Sequence, residues 1–104
     1  MLYSEISSEE WSQLSMKRLK MNHILLINIL KLFSDSPKFD LYSNSFRVQL
    51  ISQNSQNFEI QIFLVEDEYF VVSCGPYGTL DNRNYFSCDG FDGLTQLIKY
   101  YSLL

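Results

Sequence analysis

Residues 58–74, FEIQIFLVEDEYFVVSC, decide the fold. Phe58, Ile60, Ile62 and Leu64 alternate with Glu59, Gln61 and Phe63. That period of two puts one set of side chains on each face of a strand. Glu66-Asp67-Glu68 interrupts the alternation and predicts a solvated turn. Tyr69-Phe70-Val71-Val72-Ser73-Cys74 then supplies the aromatic and β-branched residues that suit a second strand. A hairpin follows, and the same pattern extends it on both sides. Phe46-Arg47-Val48-Gln49-Leu50 alternates with Phe46, Val48 and Leu50 inward, and the short polar run 52–57 reads as the loop between this strand and the next. Phe39-Asp40-Leu41-Tyr42 predicts a shorter strand upstream, and residues 84–88 a short fifth one downstream. Strands at hairpin spacing make an antiparallel meander.

Helical periodicity brackets these strands. Ser7 is placed to cap a helix, and Glu10, three residues on, completes a capping box. Trp11, Leu14, Leu19, Leu26, Leu30 and Phe33 form an apolar stripe, so one long helix is expected over about residues 8–34, with a bend near Lys20 to Asn22. Pro37 restricts the residue before it and ends the run. Near the other end Asp92 is the expected N-cap of a helix carrying Leu94, Leu97, Ile98 and Tyr101 at i, i+3, i+4 and i+7. The expected fold is therefore α+β: one domain over residues 1–104, an antiparallel sheet of four to five strands flanked by a long N-terminal helix and a short C-terminal helix.

Composition bounds the function. A chain of 104 residues with 46% apolar and 15% aromatic content folds as a single globular unit. The net charge of −4 is uneven. Residues 1–50 hold six Lys/Arg against five Asp/Glu, whereas residues 51–104 hold two against seven. An acidic half repels phosphate backbones and attracts basic partners, which argues against direct nucleic-acid binding. The polar, acidic stretch 1–10 lacks the basic and apolar regions of a signal peptide, and the apolar run 24–30 is too short to span a bilayer. A cytoplasmic protein with reduced thiols, off the membrane, is expected.

Catalytic chemistry finds little to work with. The chain has one histidine, His23, beside the apolar stripe of the first helix, where it reads as a structural residue. Cys74 and Cys88 have no further zinc ligands at suitable spacing and read as small buried residues at strand ends. The three carboxylates of Glu66, Asp67 and Glu68 sit in a solvated turn, where none gains the raised pKa that acid catalysis needs. Gly75-Pro76-Tyr77-Gly78 lacks the Lys-Ser/Thr of a phosphate loop. Lys17, Arg18 and Lys20 cluster without the interleaved aromatics of a nucleic-acid platform. No enzymatic activity, cofactor or metal is expected.

One stretch stands apart. Residues 74–90, CGPYGTLDNRNYFSCDG, hold three of the four glycines, one of the two prolines and both cysteines. Turn residues lead into Asp81-Asn82-Arg83-Asn84, a polar quartet with both charges. Tyr77, Asp81, Asn82, Arg83 and Tyr85 are the expected partner contacts, with Glu66, Asp67 and Glu68 as a steering patch.

Two resemblances give these features a context. Phe91-Asp92-Gly93-Leu94-Thr95-Gln96-Leu97-Ile98-Lys99-Tyr100-Tyr101 resembles the end of the Src-homology domain that reads phosphotyrosine, and Phe46-Arg47-Val48-Gln49 sits where that family keeps Phe-Leu-Val-Arg. Its defining arginine is Gln49 here, so Arg47 would have to serve. The size, acidity and Asn/Ser/Tyr-rich profile of the whole chain resemble the immunity proteins of contact-dependent growth inhibition and related polymorphic toxin systems. That resemblance implies an antitoxin that neutralises one cognate protein toxin, commonly a basic nuclease domain, by covering its active site or an essential surface. The rival expectations are the phosphopeptide module and a phage-encoded inhibitor that mimics nucleic acid. The doubly apolar first helix leaves monomer and dimer both open.

Overall fold

The computed structural model describes residues 2–15, 23–33, 37–40, 45–66, 69–79 and 81–104, with the side chains of 15, 23–26, 64 and 66 excepted. The elements run β1 (Tyr3–Ile6), α1 (Ser8–Ser15), α2 (His23–Leu30), β2 (Lys38–Asp40), β3 (Ser45–Ile51), β4 (Asn57–Glu66), β5 (Tyr69–Pro76), β6 (Asn84–Asp89) and α3 (Gly90–Ser102). The strands form one antiparallel sheet in the order β1-β6-β5-β4-β3-β2. The expected α+β meander is present, from β2 through β6.

Three details differ from expectation, the third of them at α3. The sheet has six strands rather than four or five, because β1 pairs Tyr3 with Cys88 and Ile6 with Tyr85 on the free side of β6. Four residues reading Tyr-Ser-Glu-Ile show no lasting alternation, so only the partner strand makes them β. The expected long helix is replaced by two short ones, α1 and α2; its expected bend at 20–22 lies outside the described residues. The two helices serve opposite faces of the sheet. Trp11 of α1 packs on Phe63 and Tyr85, while Leu30 of α2 joins the cluster built on the other face. One straight helix cannot cover both sides of a sheet, and this requirement overrides the continuous stripe.

That second cluster is the main core. Phe46, Val48 and Leu50 of β3, Ile60 and Ile62 of β4, Phe70, Val72 and Cys74 of β5, and Phe86 and Cys88 of β6 all point into it. α3 closes it with Leu94, Leu97, Ile98 and Tyr101, the residues its periodicity selects. Tyr101 meets Phe58 and Phe86 edge-on, at centroid distances of 5.1 and 6.1 Å. β5 lies in the middle and is buried on both faces from Phe70 to Cys74. α3 begins three residues earlier than expected. Asp89, not Asp92, is its N-cap, and Gly90 takes the positive φ of 74° at the strand-to-helix turn. Gly93 lets the helix press on β1: a Cβ there would collide with the carbonyl of Leu2. At the other helix, Ser7 Oγ accepts from the Glu10 N–H at 3.1 Å, as the capping pattern requires.

Candidate functional site

The residues singled out in the sequence separate into two ends of the sheet. β5 runs from Tyr69 to Pro76, a length of about 24 Å at the rise of an extended strand. Glu66 pairs with Tyr69 at one end, beside Asp89. Tyr77, Asp81, Asn82 and Arg83 follow β5 at the opposite end. Asp67 and Glu68 lie outside the described residues. The backbone of Glu66, the one described member of the expected steering patch, therefore lies at the other end of β5 from the expected contact loop.

At the loop end each residue has a distinct part. Pro76 completes β5 and Gly78 turns the chain at φ 84°. Tyr77 donates its backbone N–H to the Asn57 carbonyl at 3.0 Å, and its side chain is 52% exposed. The Asp81 N–H is taken by Thr79 Oγ1 at 3.0 Å. Asn82 stands at φ 57°, a left-handed conformation that asparagine tolerates better than most residues. Asp81 and Asn82 both face solvent.

Arg83 does the reverse of what the sequence suggests. Its side chain is 5% exposed and lies under the loop, against the polar face of the sheet. Nε donates to Ser73 Oγ at 2.6 Å. Nη2 donates to the carbonyls of Ser73 and Glu59 at 3.1 and 3.3 Å, and Nη1 to that of Thr79 at 3.4 Å. Nη1 also lies 3.7 Å from Glu59 Oε1. A planar guanidinium with five donors is the side chain best able to satisfy this many acceptors at once. Gly75 makes the room: a Cβ there would stand 2.7 Å from Arg83 Cγ. Arg83 is thus the anchor of the loop. Tyr85, another expected contact, turns into the same face and packs on Trp11 at a centroid distance of 4.7 Å.

The anchor is one end of an ion network that crosses the strands. Glu59 Oε1 also meets Arg47 Nη1 at 3.5 Å, and Arg47 Nε lies 3.3 Å from Asp40 Oδ2. The chain Asp40–Arg47–Glu59–Arg83 runs from β2 through β3 and β4 to the loop after β5. Arg47, the residue that a phosphotyrosine reader would need, has a carboxylate on each side and makes a poor receptor for a dianion. Sequence alternation already places Arg47 and Glu59 on the polar face. The pairing of Arg47 with Gln61 and of Gln49 with Glu59 brings them together, and that register is not written in either strand alone.

An open groove lies beside this network, with a volume of about 830 Å³. Lys31, Leu32 and Phe33, just after α2, form part of its wall together with Lys38. Arg47, Gln49, Ile51, Glu59 and Tyr77 line the sheet side. Leu32 is 76% exposed and Ile51 65%.

The two thiols stand too far apart to bridge. Cys74 stands opposite Asn84 and Cys88 opposite Phe70, four positions apart along the ladder, about 13 Å. A disulfide needs Cα atoms within about 7 Å. Both are free and buried. Burial pushes the Cys88 thiol from 9.0 up to about 12 and raises Cys74 as well. The Tyr101 phenol, buried beside Cys74, is raised from 10.0 to about 12, mainly by desolvation. His23 opens α2, and its side chain lies outside the described ones. Among the described residues no three His, Cys, Asp or Glu side chains come together as a metal site, and no helix is long and apolar enough to cross a membrane. Comparison with protein-family models, with curated proteins and with solved structures finds no match to this chain.

Proposed function

We propose that the chain is a non-enzymatic binding protein of the immunity type, a cytoplasmic antitoxin that covers the active site or an essential surface of one protein toxin. The observation that carries this reading is the construction of the 77–83 loop. Arg83 fixes it from beneath, and Tyr77, Asp81 and Asn82 are left facing outward. A loop held this way loses little conformational freedom on binding, which favours affinity. An exposed tyrosine flanked by polar side chains is a common anchor of protein interfaces. The net charge of −4 agrees with a basic target such as a nuclease domain.

The contact set is narrower than the sequence suggests: Tyr77, Asp81 and Asn82, without Arg83 or Tyr85. The reading expects a toxin domain encoded immediately upstream, and co-expression with that domain tests it in cells. The chain should restore growth, and the Tyr77→Ala/Asp81→Ala variant should restore it poorly while accumulating to the same level. Growth arrest that wild-type chain cannot relieve would refute it.

A further inference from the structure

The outward side chains of the 77–83 loop are too few to hold a protein partner alone. A stable interface buries about 800 Å² on each side and engages about 20–30 residues. An interface centred on Tyr77, Asp81 and Asn82 must therefore run onto a neighbouring surface. Two such surfaces adjoin Tyr77. One carries Lys31 and Lys38, both exposed, whose charge turns a basic partner away. The other is the 52–57 hairpin loop together with the end of α3.

Hydrogen bonds tie this second surface into one rim. The Tyr77 N–H donates to the Asn57 carbonyl at 3.0 Å. Ser52 closes the hairpin: its N–H donates to the Gln56 carbonyl at 2.8 Å, and its Oγ accepts from the Gln56 N–H at 3.0 Å. The Gln53 N–H donates to the Ser102 carbonyl at 2.7 Å and joins the hairpin to the last turn of α3. β5, β4 and β3 are neighbours here, two strand spacings or about 10 Å across. Residues 50–57 and 98–104 carry one charged side chain, Lys99. Tyr100 and Leu103 are 50% and 60% exposed, and residues 53–57 all face solvent.

We propose that the toxin domain seated on the 77–83 loop extends over this rim and lays an uncharged, apolar part of its surface on Tyr100 and Leu103. The inference rests on the antitoxin reading and deepens it, because it divides the partner's surface by chemistry. The exposed Asp81 carboxylate meets the basic part of the target. The rim has no acidic side chain with which to meet a cation, so the apolar part falls there. An aromatic and an aliphatic side chain among amides, with charge nearly absent, have the composition of an interface centre. The hydrogen bonds that fix the hairpin to β5 and α3 also lower the ordering cost of binding.

The test is calorimetric titration of the full chain with the toxin domain expected from the gene immediately upstream. Wild type is compared with Leu103→Lys, Leu103→Glu, Tyr100→Ser and the loop variant Tyr77→Ala/Asp81→Ala. Leu103→Lys and Leu103→Glu should each weaken binding by about tenfold or more, since either charge becomes buried without a partner. Tyr100→Ser should weaken it by about tenfold. Tyr100 lies edge-on to Tyr101 at 5.6 Å, so if its variant melts early the two Leu103 variants decide. Rim variants that bind as wild type does, beside a weakened loop variant, would overturn this proposal and leave the loop reading standing. A loss with Leu103→Lys and a gain with Leu103→Glu would also overturn it, because the rim would then meet cations. Loss at the rim with none at the loop would overturn the loop reading on which it rests. Both fall if no such domain is encoded there or if wild-type chain does not bind it. Sedimentation showing a wild-type dimer that Leu103→Lys dissolves would overturn the proposal by giving the rim to a second copy of the chain.

Discussion

Arg83 shows how one side chain can set both stability and display. It gives four hydrogen bonds and one ion pair from a site where its side chain is only 5% exposed. Removing it deletes these bonds and leaves Arg47 as the remaining ion partner of the Glu59 carboxylate among the described residues; hydrogen bonds from a charged group are worth about 1.5–3 kcal/mol. Arg83→Met should therefore lose about 2–3 kcal/mol in urea unfolding. Asp81→Ala, on the surface of the same loop, should stay within about 0.5 kcal/mol. Equal losses from the two variants would contradict the assignment of Arg83 as anchor. The polar quartet was visible in the sequence, but its division into a buried anchor and an exposed pair was not. Position in a loop says nothing about which way a long side chain folds back. The buried thiols and Tyr101 make a separate prediction. Their folded pKa values lie above the ordinary ones, so the unfolded chain gives up these protons first as pH rises. Stability is then level below about pH 8 and falls between about pH 8 and 12. Chemical denaturation at about pH 6, 8 and 10.5 should show little change over the first step and a drop over the second.

At the scale of elements, the strands and α3 were legible because each carries its own period. Residues 46–50 and 58–64 alternate cleanly, and Leu94, Leu97, Ile98 and Tyr101 mark one helical stripe. β1 and the division between α1 and α2 were not legible, because both depend on what the segment meets across the sheet. α1 is held to its face by Trp11, which packs against Phe63 at 5.8 Å and against Tyr85. Its indole N–H is buried with no acceptor among the described residues. Trp11→Ala should cost about 3 kcal/mol. Trp11→Phe, which keeps most of the packing and removes the orphaned donor, should cost less than about 1 kcal/mol. Thermal melts of the two variants distinguish this attachment from a loosely lying helix, for which both losses would be small. β1 depends in turn on the close approach of α3. Gly93→Ala forces the helix away from the Leu2 carbonyl and should cost about 1–3 kcal/mol, with amide exchange of residues 3–6 rising first.

Across the whole molecule, the sheet separates three surfaces that net charge alone merges into one acidic chain. Glu66, Asp89 and the first turn of α3 with Asp92 lie at one end, the 77–83 loop at the other, and the lysine-lined groove along the β3 edge. Net charge was readable from the sequence. Its distribution required the strand order and register, because residues 15 or more apart in the chain become neighbours only through pairing. On the proposed reading, the loop end recognises a protein partner through Tyr77, Asp81 and Asn82. Calorimetric titration of the full chain with its cognate toxin domain, expected from the gene immediately upstream, is the decisive measurement, comparing wild type with Tyr77→Ala/Asp81→Ala/Asn82→Gly. Glycine at 82 keeps the left-handed backbone and removes only the amide. The triple variant should melt as wild type does and bind about a hundredfold more weakly, about 2.7 kcal/mol. Wild-type affinity in a fully folded triple variant would contradict it.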